Sequence, residues 1–422
     1  MEEWKEYKLG EVVIPVRDRI ETSCLVSSSY ISTENMLPNK AGVTLSSGIP
    51  SGNAIKFENG DVLISNIRPY FKKIWRADKV GGCSADVICL RASEKVEPLF
   101  LYYLLSQDLF FDYVMQGSKG TKMPRGDKNQ IMQWPVLIPS KSQQNKIASL
   151  LSSLDDKIEV NRRINDNFVI EKFFEILLIW MLTIPINDNL EQQAQALFKS
   201  WFVDFEPFRD QSFVESELGM IPDGWRVGRL GDKCKCILGG TPSRNKPEYW
   251  DGDIAWINSG EVNKFRITTP SEYITEEGLN HSATKLLPRK TTVLAITGAT
   301  LGQVSLLEID TCANQSVIGV LENDEYPYSF VYPLIKERIG ELMSHMTGGA
   351  QQHINKNNVE GLDIVIPSHD VMTSFRDITF PIYEKIGYLC QETDSLAELR
   401  DTLLPKLMSG EIKVFDKPND LS

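Results

Sequence analysis

Along this chain, apolar and polar positions follow two textures that alternate twice. Short β-branched runs cut by Gly, Pro, Asn and Ser read as strands, as at Val12 to Val16, Val87 to Leu90, Val293 to Ile296 and Ser316 to Leu321. Longer apolar stretches lie among them, at Pro98 to Gln107 and Tyr328 to Met343, and read as helices. Residues 1–140 and 216–367 are therefore each predicted to form a mixed α/β domain, placing the chain in the α+β class.

Behind each domain the period changes. Ser142 is a candidate N-cap for a helix whose apolar positions Ile147, Leu151, Leu154 and Ile158 alternate four and three apart. The distal stretch keeps that alternation through Ile382, Ile386, Leu389, Thr393, Leu396 and, after Arg400, Leu403. Such a seam needs a partner helix, and the chain holds two. An antiparallel pair, a coiled coil with pseudo-two-fold repeat, is the economical prediction; two amphipathic helices, each lying on its own domain, is the alternative. Pro381 predicts a kink or restart in the distal helix.

The textures repeat because the sequence does. Trp4-Lys5-Glu6-Tyr7-Lys8-Leu9-Gly10-Glu11 returns as Trp225-Arg226-Val227-Gly228-Arg229-Leu230-Gly231-Asp232. Asp61-Val62-Leu63-Ile64 has a counterpart in Thr292-Val293-Leu294-Ala295-Ile296, and Trp134 to Ser140 matches Leu362 to Ser368. Three landmarks in the same order indicate a duplication. A smaller repeat, Ile164-Asn165-Asp166-Asn167 and Ile186-Asn187-Asp188-Asn189, brackets a 22-residue insertion near 165–188 in the central helical region. As continuous helix it would add roughly 33 Å at 1.5 Å per residue. Alternatively, Pro185 breaks it and the apolar stretch folds back as a packed hairpin.

The net charge of −12 argues against non-specific nucleic-acid binding by the whole surface. The basic residues are nevertheless clustered. Arg68, Lys72, Lys73, Arg76 and Lys79 face only Asp78, and Lys119, Lys122, Arg125 and Lys128 face only Asp127. Seven cysteines include no C-x-x-C pair, and the close pair Cys234 and Cys236 lacks a second ligand pair for zinc. With a charged N-terminus and no membrane-length apolar run, a reduced cytoplasmic protein is expected.

Catalytic signatures are missing. There is no Pro-Pro pair for a base-gripping methyltransferase segment, and no Gly-Lys-Ser or Gly-Lys-Thr for a P-loop. His281, His345, His353 and His369 are scattered, and nothing resembles a nucleophile elbow. Asp251 and Asp253, beside Trp250 and Trp256, read as turn residues more readily than as metal ligands. No cofactor, metal or enzymatic activity is expected.

The sharpest signatures close the helical regions: Leu197-Phe198-Lys199-Ser200-Trp201-Phe202-Val203-Asp204-Phe205-Glu206-Pro207, and Leu399 to Ile412 with Leu403-Leu404-Pro405-Lys406-Leu407-Met408-Ser409-Gly410 at its centre. Both resemble conserved regions of the specificity subunit of type I restriction–modification systems. Ile-Pro-Ser followed by Gln143-Gln144 is similar to that family too. So are Gly239-Gly240-Thr241-Pro242, Tyr249 to Ile257, Thr297 to Gly302 and Asn314-Gln315. The insertion departs from the pattern.

The resemblance implies a non-catalytic subunit that binds double-stranded DNA. Two target-recognition domains (1–140 and 216–367) would each read half of a split target. Helical regions (141–215 and 368–415, before a tail at 416–422) would set the gap between the halves. Two methyltransferase subunits would dock on the helices, and restriction (translocase/nuclease) subunits would join them, with no membrane involved. Candidate partner contacts are Phe198, Trp201, Phe202, Phe205, Leu403, Leu404, Leu407 and Met408. In the first domain, candidate DNA contacts are Asn66, Arg68, Tyr70, Lys72, Lys73, Arg76, Ser84, Lys119, Lys122, Arg125 and Lys128. The second offers Thr241, Ser243, Arg244, Thr297, Thr300, Asn314, Gln315, Gln351, Gln352, His353, Asn355 and Lys356. Each of these side chains also suits an ordinary solvated surface. The domains differ outside the landmarks, so the half-sites are expected to differ and the target to be asymmetric. The competing reading is a protein-binding spacer or scaffold; a self-contained restriction enzyme fits poorly because the motifs are missing.

Overall fold

The computed structural model describes residues 4–118, 120, 123–167, 190–344 and 353–412. The insertion near 165–188, apart from the last turn of the helix leading into it, lies outside the described residues, as do Lys119, Lys122, Gln351 and Gln352. The chain divides into two units, Met1–Lys157 with Leu396–Ser422, and Ile158–Ser395.

The first unit runs β1 (Lys5–Lys8), β2 (Val13–Pro15), β3 (Arg19–Glu21), β4 (Tyr30–Ile31), β5 (Asn53–Phe57), β6 (Val62–Ser65), β7 (Ile74–Arg76), β8 (Gly81–Cys83), β9 (Val87–Ala92), α1 (Pro98–Leu105), α2 (Asp108–Gln116), α3 (Lys128–Ile131) and β10 (Pro135–Ile138). Strands β2-β9-β6-β7 form an antiparallel sheet. A second sheet, β3-β5-β8-β4, is antiparallel except where β4 meets β8. The β-branched run Val62–Ser65 is buried throughout, as expected of a strand covered on both faces. Phe100, Leu101, Leu104 and Phe110 of α1 and α2 close its core. The first and third landmarks turn out to be each other's partners: β1 pairs with β10.

The second unit contains β11 (Phe213–Ser216), β12 (Gly219–Pro222), β13 (Arg226–Arg229), α6 (Leu230–Lys233), β14 (Cys236–Leu238), β15 (Trp250–Ile257), β16 (Arg266–Ile267), β17 (Glu272–Ile274), α7 (Glu276–Asn280), β18 (Leu286–Leu287), β19 (Thr292–Ala295), β20 (Val304–Leu307), β21 (Thr311–Ala313), β22 (Val317–Val320), α8 (Tyr328–Ser344), α9 (Lys356–Glu360) and β23 (Asp363–Ile366). It repeats most of the first unit's strand pairings. β14-β22-β19-β20 reproduces β2-β9-β6-β7, and β13 pairs with β23 as β1 does with β10. β15-β21-β18 reproduces β4-β8-β5, with the parallel pairing in the same place. The copies differ at their edges. β16 adds a parallel strand beside β20, and β17 lies on the β15 side where β3 lies on the β5 side.

Among the described residues, three helices make the helical regions: α4 (Lys141–Asn167), α5 (Leu190–Phe202) and α10 (His369–Met408). The cap of α4 is Ser140, not Ser142: the Gln143 amide donates to Ser140 Oγ at 3.4 Å. Gln144 then turns inward, accepting from the Glu97 amide and donating to the Pro139 and Lys95 carbonyls. α10 is continuous through Pro381, correcting the expected restart. Packing on both sides of the proline, by Phe375, Ile382, Tyr383 and Ile386, outweighs the lost backbone bond.

Within the first unit, Ile147, Ala148 and Leu151 of α4 share a core with Leu404, Leu407 and Met408 of α10, and Asp155 pairs with Arg400 at 2.6 Å. Within the second unit, Asn161 donates to Glu392 at 2.6 Å. There, too, Leu190 and Ala194 of α5 pack with Ile382, Tyr383 and Ile386, while Phe198 and Phe202 pack with Met372 and Phe375. Positions rise on one helix as they fall on the other, so the pairing is antiparallel. α5 is also tied down by charge. Glu191 meets the fully buried Arg266 of β16 at 2.7 Å and Lys336 of α8 at 2.9 Å. Burial opposes the ionisation of Glu191, but these two cations overcome it and hold the carboxyl down at about 2.

Candidate nucleic-acid interface

Three loops meet at one end of the main sheet in each unit. In the first, the hairpin between β6 and β7 (residues 66–73), the turn after β8 (84–86) and the segment before α3 (124–126) are stitched by backbone bonds. The Asn66 amide donates to the Asp86 carbonyl at 2.9 Å, that of Gly126 to the Asn66 carbonyl at 3.2 Å, and that of Arg68 to the Pro124 carbonyl at 2.8 Å. The second unit repeats the stitching. The Ile296 amide donates to the Ser316 carbonyl at 2.9 Å and the Ile354 amide to the Ile296 carbonyl at 3.1 Å. The hairpins are equally long in this register. Ser65 bonds Lys73, and Ala295 bonds Gln303, both at 3.0 Å. A 3-10 turn follows in each, Pro69–Phe71 and Gly298–Thr300.

Of the candidate DNA contacts in the described part, Asn66, Arg68, Tyr70, Lys72, Lys73, Ser84 and Arg125 lie on the loops of the first ledge, and Thr297, Thr300, Asn314, Gln315, His353 and Asn355 on those of the second; Arg76 lies at the far end of β7, opposite Val62. In the first ledge Tyr70 is exposed beside Phe71, ring centroids 4.6 Å apart. Lys72 shares Asp108 with Lys40, at 2.8 and 3.1 Å. Burial works against the Asp108 charge, yet the two lysines hold it below the usual carboxylate range. Lys73 donates to the Thr33 carbonyl at 2.7 Å, and Arg125 pairs with Asp86 at 3.3 Å. Asn66 is buried, and its Oδ1 has no partner among the described residues. Arg76, on β7, and Ser84, at the turn, are half-buried, and Lys128 opens α3 on the surface.

In the second ledge Thr297 and Thr300 lie on the hairpin, with Gln315 exposed on the turn. The Thr241 hydroxyl donates to Gln315 Oε1. That meeting depends on Gly239 and Gly240, which let the chain after β14 run against the backbone of residues 283–284 and 313–314. Several candidates are occupied otherwise. Arg244 forks onto Glu272 and stacks on Trp250, 3.6 Å from its centroid. The neighbouring Ser243 carbonyl accepts from the Trp250 indole. Asn314 Oδ1 accepts from the Ser316 amide, and Asn355 caps α9. Lys356 pairs with Glu360, and His353 is half-buried at the base of the ledge. For Asn355 and Lys356 the sequence held a local signal, Asn358 three residues and Glu360 four residues on; for Arg244 nothing in the sequence pointed to Glu272.

Five of the eight expected partner contacts are corrected by their burial. Phe198, Phe202, Leu404, Leu407 and Met408 are buried in the chain's own cores. Phe202, Phe205 and Phe208 pack around Trp225, with Phe208 at 4.9 Å, so the aromatic signature fastens α5 to the start of the second copy. Trp201, Phe205 and Leu403 are half-buried. The exposed apolar side chains of the helices are others, including Leu150, Val160, Tyr388 and Leu399.

Among the described residues no group of three His, Cys, Asp or Glu side chains gathers as a metal site, and no helix is long and apolar enough to cross a membrane. Burial pushes the Cys234 and Cys236 thiols up to about 12. Asp251 adopts φ 61° inside β15, at an irregularity in the β15–β17 pairing, and so sits in a bulged strand and not in the expected turn.

The family model of the type I restriction modification DNA specificity domain matches residues 1–167 and 222–371. The HindI type I restriction enzyme specificity subunit of Haemophilus influenzae is 26% identical, over 98% of this chain and 100% of its own. The MjaIX specificity subunit of Methanocaldococcus jannaschii is 29% identical over 75% of this chain and 69% of its own. Among solved structures, the type I restriction–modification S subunit from M. genitalium has a TM-score of 0.57 at 16% identity, covering 96% of each chain, a likeness of fold. The two matched blocks each contain one of the repeated ledges, and the chain belongs to the type I restriction–modification DNA specificity family.

Proposed function

We propose that the chain is the sequence-reading subunit of a type I restriction–modification complex. Each ledge contacts one half of a split, asymmetric duplex target, and the chain brings methyltransferase and restriction subunits to it. The chain supplies recognition, and its partners supply the chemistry. The observation that carries this reading is one loop scaffold built twice with different side chains. A repeated backbone fixes where the loops reach, and divergent side chains let the copies read different words. Family membership and the names of the relatives support it.

Partner docking falls to exposed apolar side chains of α4 and α10, such as Leu150, Val160, Tyr388 and Leu399, since the buried aromatics are spent on the fold. Replacing Tyr388 by Lys should weaken assembly, seen in co-purification with the methyltransferase subunit, and leave the melting temperature of the chain within a few degrees.

The test of function is methylation sequencing of DNA treated with the reconstituted complex or with the chain alone. Modification of one two-part, non-palindromic motif by the complex, and none by the chain alone, is expected. Methyl transfer by the purified chain, or complex-dependent modification without sequence preference, would contradict the proposal.

A further inference from the structure

The two ledges share a backbone but not a charge. The first carries Arg68, Lys72 and Lys73 in its hairpin and Arg125 beside it, whereas the hairpin and turn of the second are uncharged from Ile296 to Gln303 and from Asn314 to Ser316. Resting on the reading of both ledges as DNA-contacting, we infer that the first unit reads a guanine through Arg68 and the second an adenine through Gln315.

Arg68 and Lys72 sit at φ 50° and 49°, and the matching positions of the second copy are Gly298 and Gly302 at φ 77° and 82°. This left-handed conformation is free for glycine and strained for residues with a Cβ. The second copy shows that the turn can be built with glycine at both places. Holding a large cation at position 68 is therefore a cost the scaffold does not require, and such outliers point to function. Lys72 is drawn to Asp108, a structural reason for its place. Arg68 has none: it forms no ion pair among the described residues, and its Nε is buried without a partner. It also crowds a like charge. Burial and then the Arg68 charge hold Lys73 below the ordinary lysine value. A planar guanidinium kept unpaired on a loop matches the O6 and N7 acceptors of guanine in the major groove.

In the second ledge, the amides of Asn314 and Asn355 serve local turns. Gln315 is different. It is exposed, and the Thr241 hydroxyl takes one lone pair of its Oε1, leaving the other to accept and both Nε2 hydrogens to donate. An oriented carboxamide that donates through nitrogen and accepts through oxygen pairs with N7 and N6 of adenine.

The experiment is selection of a randomised duplex DNA pool by the reconstituted complex carrying the parent chain, Arg68→Gly, Arg68→Lys or Gln315→Ala. With Arg68→Gly, one G·C pair in one half of the motif should become degenerate, discrimination falling about ten-fold or more. The other half should be unchanged, and the melting temperature should be equal to the parent's or higher, because glycine suits φ 50°. Arg68→Lys should keep overall affinity and still lose the guanine preference, since lysine lacks the fork. Gln315→Ala should relax an A·T pair in the other half. Unchanged preferences with either Arg68 variant, loss at an A·T pair instead, or both sites acting on the same half would overturn the assignment while leaving a two-part motif in place. If the parent complex selects no two-part motif, the underlying functional reading fails as well.

Discussion

Gly239 and Gly240 decide how closely the chain after β14 passes the turn after β21. A Cβ at Gly239 would lie 2.2 Å from the Asn314 carbonyl oxygen, and one at Gly240 would lie 2.6 Å from the Ala283 carbonyl carbon and the Thr284 nitrogen. These neighbours are backbone, so no rotamer change relieves them. Gly239→Ala should therefore cost roughly 1–3 kcal/mol in urea unfolding, the usual penalty of overpacking. It should also weaken binding at the half-site read by the second unit, because Thr241 is carried off Gln315; unchanged stability would show that the segment is not tightly seated. The glycine pair was visible in the sequence as a family pattern, but its reason was not, since the clashes are with Ala313 and Asn314 for Gly239 and with Ala283 and Thr284 for Gly240, all far off in sequence. Asn355 shows the converse. As a residue type it suits adenine reading, but three positions later Asn358 completes a capping box with it, and the local backbone claims its side chain.

At the scale of elements, the alternating seam of α4 was legible because burial follows the period: Ile147, Leu151 and Ile158 are buried. Leu151→Ala should cost about 2–5 kcal/mol by chemical unfolding, as for other buried leucines. The aromatic closing segments misled for a physical reason. A conserved-looking Phe-Trp-Phe cluster can serve a partner or the chain's own core, and composition does not say which; Trp225 decides it here. The charge anchor of α5 was invisible too, since Glu191, Arg266 and Lys336 meet only in the fold. Glu191→Gln would strand Arg266 in the interior, and about 3–5 kcal/mol of stability should be lost at neutral pH. The pH response has a definite sign. The folded value of Glu191 lies below its ordinary one, so its stabilisation is complete above about pH 4.5 and is lost as pH falls toward 2. Urea midpoints of the parent should fall across that window more steeply than those of Glu191→Gln; parallel slopes would contradict the anchoring role.

For the whole molecule, the duplication was legible from landmarks at both ends of each copy, where β1 with β10 and β13 with β23 close the domains. The middle was less so. The edge strands β3 and β17 lie on opposite sides of equivalent sheets, and edges have fewer neighbours to hold them to one pattern. The hairpins at 66–73 and 296–303 share a backbone with almost no sequence identity, since glycine announces the left-handed turns in one and Arg68 and Lys72 conceal them in the other. Two loop platforms on one chain, each with its own chemistry, make a molecule suited to gripping two separate words of a duplex.

The most direct measurement is a hydroxyl-radical footprint of the reconstituted complex on a duplex containing its modified motif. Two short protected blocks, unlike in sequence and separated by a constant unprotected gap, are predicted, with Arg68→Gly weakening one block and Gly239→Ala the other. A single continuous block, or two blocks of the same inverted sequence, would contradict the account.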